Sequence, residues 1–312
     1  VTELAHLNGL EESFIDWLEK ANSFCNSLVD RIVPGRPDDE LKADVETEVG
    51  YGDDLMLMTE VYRFWAIEGN EKVAEILSFA KADKCVVIAE DINLFRELKL
   101  RLLNGTHTLS CGVAFLAGLE TVKNAMDDSH MYHYINMLMN TEIAAAIPYK
   151  ATEAQKEAFA VNCLDRFRNP FIVHQWLSIT VQYSSKMKMR VVPVLLQYYS
   201  LYNKVPENIA TGFAAFLYFM KAVKEESGNY FGRFNGTEYP IKDDKAFYFY
   251  EKWQNTQPAL MATSVLRDIS LWGYDLTALA GFAEAVQEKL NDIEETGMAA
   301  VIDPMHSKKS IA

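Results

Sequence analysis

Lys99, Asn104 and His107 are the residues whose types and spacing most readily support chemistry. They lie in the run Glu97-Leu98-Lys99-Leu100-Arg101-Leu102-Leu103-Asn104-Gly105-Thr106-His107, at offsets of zero, five and eight. In a helix turning about 100° per residue, Asn104 falls roughly 140° and His107 roughly 80° around the axis from Lys99. The helical neighbours of Lys99 are Phe95, Leu102 and Leu103, so the lysine lies inside the apolar stripe. One broad face thus carries an ammonium, a carboxamide and an imidazole. Burial disfavours a charged amine and brings its proton affinity toward the pH at which a general acid–base works best. The alternative is a snorkelling lysine above a hydrogen-bonded core Asn and His. Spacing alone leaves both open.

A second constellation is cationic. Lys186, Lys188 and Arg190 alternate with Met187 and Met189. If the segment is extended, all three point to one side, and such a face in an acidic protein draws an anionic ligand. Arg190 suits a bidentate grip on a carboxylate; the alternative is a solvated basic turn before Pro193. Other candidates are weaker. His130 and His133 form a pair without a third ligand, and zinc needs at least three, so no metal site is expected. Cys111 sits in an apolar stripe and reads as structural. There is no G-x-S-x-G and no G-x-x-x-x-G-K-[ST]. Nor is there a G-x-G-x-x-G; Gly50-Tyr51-Gly52 comes closest and lacks the third glycine.

The elements that must position these residues are mostly helical. Apolar residues from Leu10 to Leu28 follow a 3.6-residue rhythm, predicting a helix to Arg31 that stops at Pro34-Gly35-Arg36-Pro37. The acid-rich segment 38–54 reads as a surface loop. Residues 70–81 read as a helix and Cys85-Val86-Val87-Ile88-Ala89 as a strand. Asp91 or Asn93 is placed to cap the helix that carries Lys99. Further helices are expected over 106–124, 129–147, 152–167, 194–203, 207–224 and 276–294, with a loop over 229–242. The expected fold is mainly α, multi-helical with one or two short strands, over one domain at 1–302 and a polar tail at 303–312.

Composition narrows the partners. The chain has 312 residues, 49% hydrophobic, with a net charge of −14. That excess of acid argues against a nucleic-acid surface. Four cysteines carry no C-x-x-C and read as reduced thiols. No signal-peptide pattern opens the sequence and no apolar run approaches the roughly 18 residues of a membrane span. A cytoplasmic protein without membrane or nucleic-acid partners is expected.

Three ordered motifs resemble the mannitol dehydrogenase family, long-chain polyol and sugar-acid dehydrogenases that need no metal. They are KLRLLNGTH from Lys99, the segment Asn26-Ser27-Leu28-Val29-Asp30-Arg31-Ile32-Val33-Pro34, and Arg166-Phe167-Arg168-Asn169-Pro170-Phe171-Ile172. The resemblance implies a helical C-terminal domain and an NAD-dependent oxidoreductase. It implies Lys99 as general acid–base, Asn104 as donor to the reacting oxygen and His107 as the residue orienting substrate hydroxyls. Asp30 would sit near the lysine and cofactor; a structural salt bridge with Arg31 is the alternative. VDRIVPGRP, the His174-Gln175 pair and the basic run at 185–190 most resemble sugar-acid members, which implies His174, Lys186, Lys188 and Arg190 around a carboxylate. Polyol-specific members carry an arginine where Ser178 stands here. Lacking a glycine-rich fingerprint, the chain is expected to be the substrate-side part of a longer enzyme. Its own N-terminal nucleotide-binding Rossmann domain would then be a partner outside these residues, leaving the chain inactive alone and NAD bound mainly elsewhere. A non-catalytic helical binding module is the reading from another class.

Overall fold

The computed structural model describes residues 1–303; the predicted tail beyond Asp303 lies outside the described residues. The chain divides into two compact units, one comprising residues 1–35 and 59–96, the other residues 36–58 and those from Glu97 onward.

In the first unit, helices Thr2–Leu7 and Glu12–Ala21 precede β1 (Ser27–Asp30). Then follow β2 (Phe64–Glu68), helix Glu71–Ile76, a 3-10 turn Ser78–Lys81 and β3 (Val86–Ala89). The sheet runs β1-β2-β3. β1 is antiparallel to β2, with Asp30 opposite Phe64, and β2 is parallel to β3, with Trp65 opposite Val86. A parallel pair needs a crossover, and the helical residues between β2 and β3 supply it. Asn70 opens that crossover by accepting the Val73 N–H at 3.2 Å.

The strand at Cys85–Ala89 is where β-branching placed it. The helix expected to reach Arg31 instead ends at Ala21, because Ser27–Asp30 gains a full ladder against β2. Tertiary pairing outweighs a local rhythm that already fades past Phe24.

The second unit is helical with a sheet of its own. The segment 38–54, expected as a loop, contains helix Asp39–Val49. Its ends rather than an apolar stripe define it. The Asp38 side chain accepts the Leu41 N–H at 2.8 Å and Gly50 closes it at φ 79°. The expected loop 229–242 is also corrected. β4 (Lys224–Glu226), β5 (Asn229–Phe234) and β6 (Thr237–Ile241) form an antiparallel meander. Asn235 and Gly236, at φ 48° and 80°, make the Asn-Gly hairpin turn that joins β5 to β6. The described residues thus hold two three-stranded sheets, not the one or two short strands expected.

The core of this unit is the contact between helix Asn104–Leu116 and helix Glu207–Phe219. A Cβ at Gly212 would lie 2.5 Å from the Leu109 side chain, so only glycine lets these helices approach so closely. Phe213, Phe216, Trp272 and Phe282 fill the space around them.

Candidate active site

Lys99 opens a π-turn, Lys99–Leu103, between helix Asn93–Leu98 and helix Asn104–Leu116. Asn93 starts the first helix with its N–H on the Asp91 carboxylate at 2.7 Å. At the end of the π-turn the Asn104 N–H is shared between the Leu100 and Lys99 carbonyls, four and five residues back. A π-turn holds more residues than an α-turn, so it narrows the angle that straight α-geometry would put between Lys99 and Asn104. Both residues are half-buried. The next turn brings His107 and Thr108, and Thr108 Oγ1 donates to the Asn104 carbonyl at 2.7 Å.

His107 is enclosed. Its ring stacks on Phe167 at 4.1 Å between centroids and 14° between planes. His174 and Trp176 meet it edge-on at 5.5 and 5.9 Å. His107 Nε2 and Trp176 Nε1 are buried without a hydrogen-bond partner. Burial drives the His107 pKa well below that of an ordinary imidazole, helped by His174, Arg166, Arg190 and Lys186. After burial, the groups acting on this imidazole most strongly are all basic side chains. His174 and Trp176 are held by a short antiparallel bridge to residues 120–122, with Val122 N–H on the His174 carbonyl at 2.9 Å.

Lys186 and Arg190 arrive on a second helix, Tyr183–Lys186 continuing through a π-turn, Met187–Val191, into Val192–Tyr202. The loop after β6 anchors its start. Ser184 donates its N–H and hydroxyl to Asp243 at 2.7 and 2.6 Å. Gln182, at φ 55°, donates its N–H to the Lys242 carbonyl and Nε2 to Asp244. Lys186 Nζ donates to the Ile179 carbonyl at 2.8 Å, and Arg190 Nη1 donates to Thr108 Oγ1 at 3.2 Å. Burial, then the Arg190 charge, lowers the Lys186 pKa; burial lowers that of Arg190. For His174, burial acts first and Lys186 second.

The segment expected to be extended is helical, and this separates its three cations. Four residues apart, Lys186 and Arg190 share a face. Lys188 falls on another, and its Nζ donates to the Ser270 carbonyl at 3.3 Å. Asp30 belongs to the first unit, where it ends β1 and is buried; the neighbouring Arg31 donates Nε to the Glu60 carbonyl at 2.9 Å. Burial pushes the Cys111 thiol up to about 12, so it is no nucleophile near neutral pH. Among the described residues no group of three or more metal-ligating side chains gathers, and no helix is long and apolar enough to cross a membrane.

Three contributors escaped the sequence reading. Arg101, Thr108 and Trp176 surround the expected residues, and each adjoins a motif already singled out. The usable signal was the i, i+4 pairing of Glu97 with Arg101, two residues from Lys99.

Residues 91–294 match the mannitol dehydrogenase C-terminal domain, and residues 2–81 match the mannitol dehydrogenase Rossmann domain. The second match overturns the expectation that the nucleotide-binding domain is absent and that NAD binds mainly outside the chain. β1, β2 and the helical residues of the crossover lie in that matched region, and β3 follows just beyond it. It was missed because the search relied on a glycine-rich loop rather than on strand pairing.

The chain is 36% identical over 307 residues to the altronate oxidoreductase of Bacillus subtilis (strain 168), covering 97% of this chain and 60% of the relative. It is 36% identical over 303 residues to that of Shigella flexneri, covering 95% and 60%. The chain therefore spans about 60% of the length of the curated relatives it matches. Its fold is similar to that of Pseudomonas fluorescens mannitol 2-dehydrogenase, solved as a ternary complex with NAD and D-mannitol. The TM-score is 0.75 at 22% identity, over 95% of this chain and 57% of that one. A D-sorbitol dehydrogenase in substrate-free form gives 0.69 at 20%, over 96% and 58%. With the C-terminal model matching residues 91–294 and the Rossmann model residues 2–81, the chain belongs to the mannitol dehydrogenase family.

Proposed function

We propose that this chain carries the substrate-side chemistry of an NAD-dependent oxidoreductase interconverting D-tagaturonate and D-altronate. The observation that supports a sugar acid over a neutral polyol is the cationic surround of His107. Lys186 and Arg190 both act on it, in a chain of net charge −14, while His174, its own pKa lowered by burial, adds no charge near neutral pH. Like charges held together at partial burial are costly unless a ligand supplies the counter-charge. A carboxylate does so; a neutral polyol does not. Ser178 at the position where polyol members carry arginine agrees with this choice, as do the altronate oxidoreductase relatives.

In this reading Lys99 is the general acid in the reductive direction and the base in the oxidative one. It passes its proton to the carbonyl oxygen that becomes the new hydroxyl. Asn104, at the end of the π-turn that Lys99 opens, donates to the same oxygen as negative charge develops. His107, kept neutral, orients neighbouring hydroxyls through Nε2. Arg190 and Lys186 take the carboxylate, with His174 beside them. NAD would supply or accept the hydride. The parallel β2–β3 pair fits part of such a cofactor's domain, but the sequence holds no glycine-rich phosphate loop.

Steady-state NADH oxidation with tagaturonate, fructuronate and fructose tests this reading. Tagaturonate is expected to give the highest kcat/KM. A clear preference for fructose would sink the sugar-acid assignment.

A further inference from the structure

We infer that Arg101 is a positioning residue that sets the π-turn bearing Arg190, and so controls how the site grips a carboxylate; its kinetic arm rests on the proposed role of Arg190. Arg101 is 6% exposed, two residues beyond Lys99. Nε donates to Glu97 Oε2 at 2.8 Å, while Nη1 donates to the carbonyls of Met189 at 2.7 Å and Arg190 at 3.0 Å.

The Met189 carbonyl needs an outside donor for a reason written in the sequence. In an α-helix the Met189 carbonyl would accept from residue 193, but that residue is proline and has no N–H. The proline ring would also crowd the carbonyl four residues back. The chain answers by widening into the π-turn, with Val192 N–H reaching back five residues to the Met187 carbonyl. Arg101 then supplies the donor the proline lacks.

Arg190 is thus tied twice to the helix that carries Lys99. Arg101 holds its carbonyl, and Thr108, two turns further on, accepts from its guanidinium at 3.2 Å. The planar guanidinium fork reaches the Glu97 carboxylate on one edge and the carbonyls on the other. An ammonium at 101 is a point charge and cannot reproduce that geometry.

The test combines two measurements on Glu97→Gln/Arg101→Met, which removes the guanidinium without leaving Glu97 as an unpaired buried carboxylate. Arg101→Lys serves if the double change loses cooperative unfolding. In the first, amide hydrogen exchange is followed at residues 187–194. Exchange there is expected to quicken at least ~10-fold while residues 207–219 keep their protection. Unchanged exchange at 187–194 would overturn the proposal whatever the substrate proves to be. In the second, kcat/KM is measured for tagaturonate and fructose, with and without Arg190→Met. Removing Arg101 is expected to raise KM for the acid about 10-fold with a smaller change in kcat, and to have little further effect once Arg190 is methionine. Full, additive losses in the two backgrounds would show that Arg101 acts apart from Arg190 and overturn the proposal. If Arg190→Met weakens both substrates equally while exchange quickens at 187–194, the carboxylate reading falls and the positioning of the turn stands.

Discussion

Replacing Arg190 by methionine separates a residue that grips the substrate from one that supports the fold. Methionine keeps an unbranched apolar stem with similar helix preference and removes only the guanidinium. Among the described residues that guanidinium donates to the neutral Thr108 hydroxyl at 3.2 Å. Losing that bond weighs equally on every substrate and cancels from the ratio of two kcat/KM values. A charge-assisted bond to a bound carboxylate contributes about 1.5–3 kcal/mol. Its loss lowers kcat/KM by roughly 10- to 150-fold, taking 1.4 kcal/mol per decade, for a sugar acid alone. Lys186→Met should behave alike, since only one Nζ proton is committed to the Ile179 carbonyl. The assay is NADH oxidation on tagaturonate and on fructose, read as the ratio of the two kcat/KM values. A ratio that falls by that factor supports the carboxylate grip. Equal losses on both substrates would refute it and leave Arg190 and Lys186 as struts of the helix.

Asn104→Ala is expected to lower kcat on the order of 100-fold with little change in KM, the cost of one transition-state donor; single-turnover kinetics would show it, and an intact rate would remove Asn104 from the chemistry. Burial holds both His107 and His174 below the ordinary imidazole pKa of 6.5. The unfolded chain therefore takes up protons first as pH falls. Stability from these groups is complete above about 6.5 and declines below it, by at most about 1.4 kcal/mol per pH unit for each imidazole. Urea unfolding from about pH 7 to 5 should show the decline and His107→Phe should flatten it; identical pH slopes in the two proteins would contradict the burial of a neutral ring.

How far the site was legible depended on whether its geometry is local. Lys99, Asn104 and His107 follow one another along one continuous helical run, so their spacing conveyed their grouping, although the π-turn between Lys99 and Asn104 was invisible to a fixed period of 3.6. Lys186 and Arg190 were identified for the right charge on the wrong backbone. Alternation with methionine suits a strand, and only the anchoring of Ser184 by Asp243 makes the segment helical and turns Lys188 away. Both sheets were underread for similar reasons. Ser27–Asp30 becomes a strand because β2 lies beside it, a partner about 40 residues distant. The Asn235-Gly236 turn was a local signal within reach, obscured by aromatic residues that read as loop. Arg101 was hidden because its role depends on Pro193, nearly a hundred residues away.

Lys99 carries the proton in this reading, so Lys99→Ala with chemical rescue tests it most directly. In the active enzyme the substitution should lower the rate of tagaturonate reduction by at least ~100-fold, the low end of a general acid–base contribution, with KM changing less. Added primary amines small enough to enter the vacated space should restore part of that rate, rising with amine concentration. Near-wild-type turnover in Lys99→Ala, or a loss carried wholly by KM, would contradict a proton-transfer role and leave Lys99 a half-buried lysine of the helix surface.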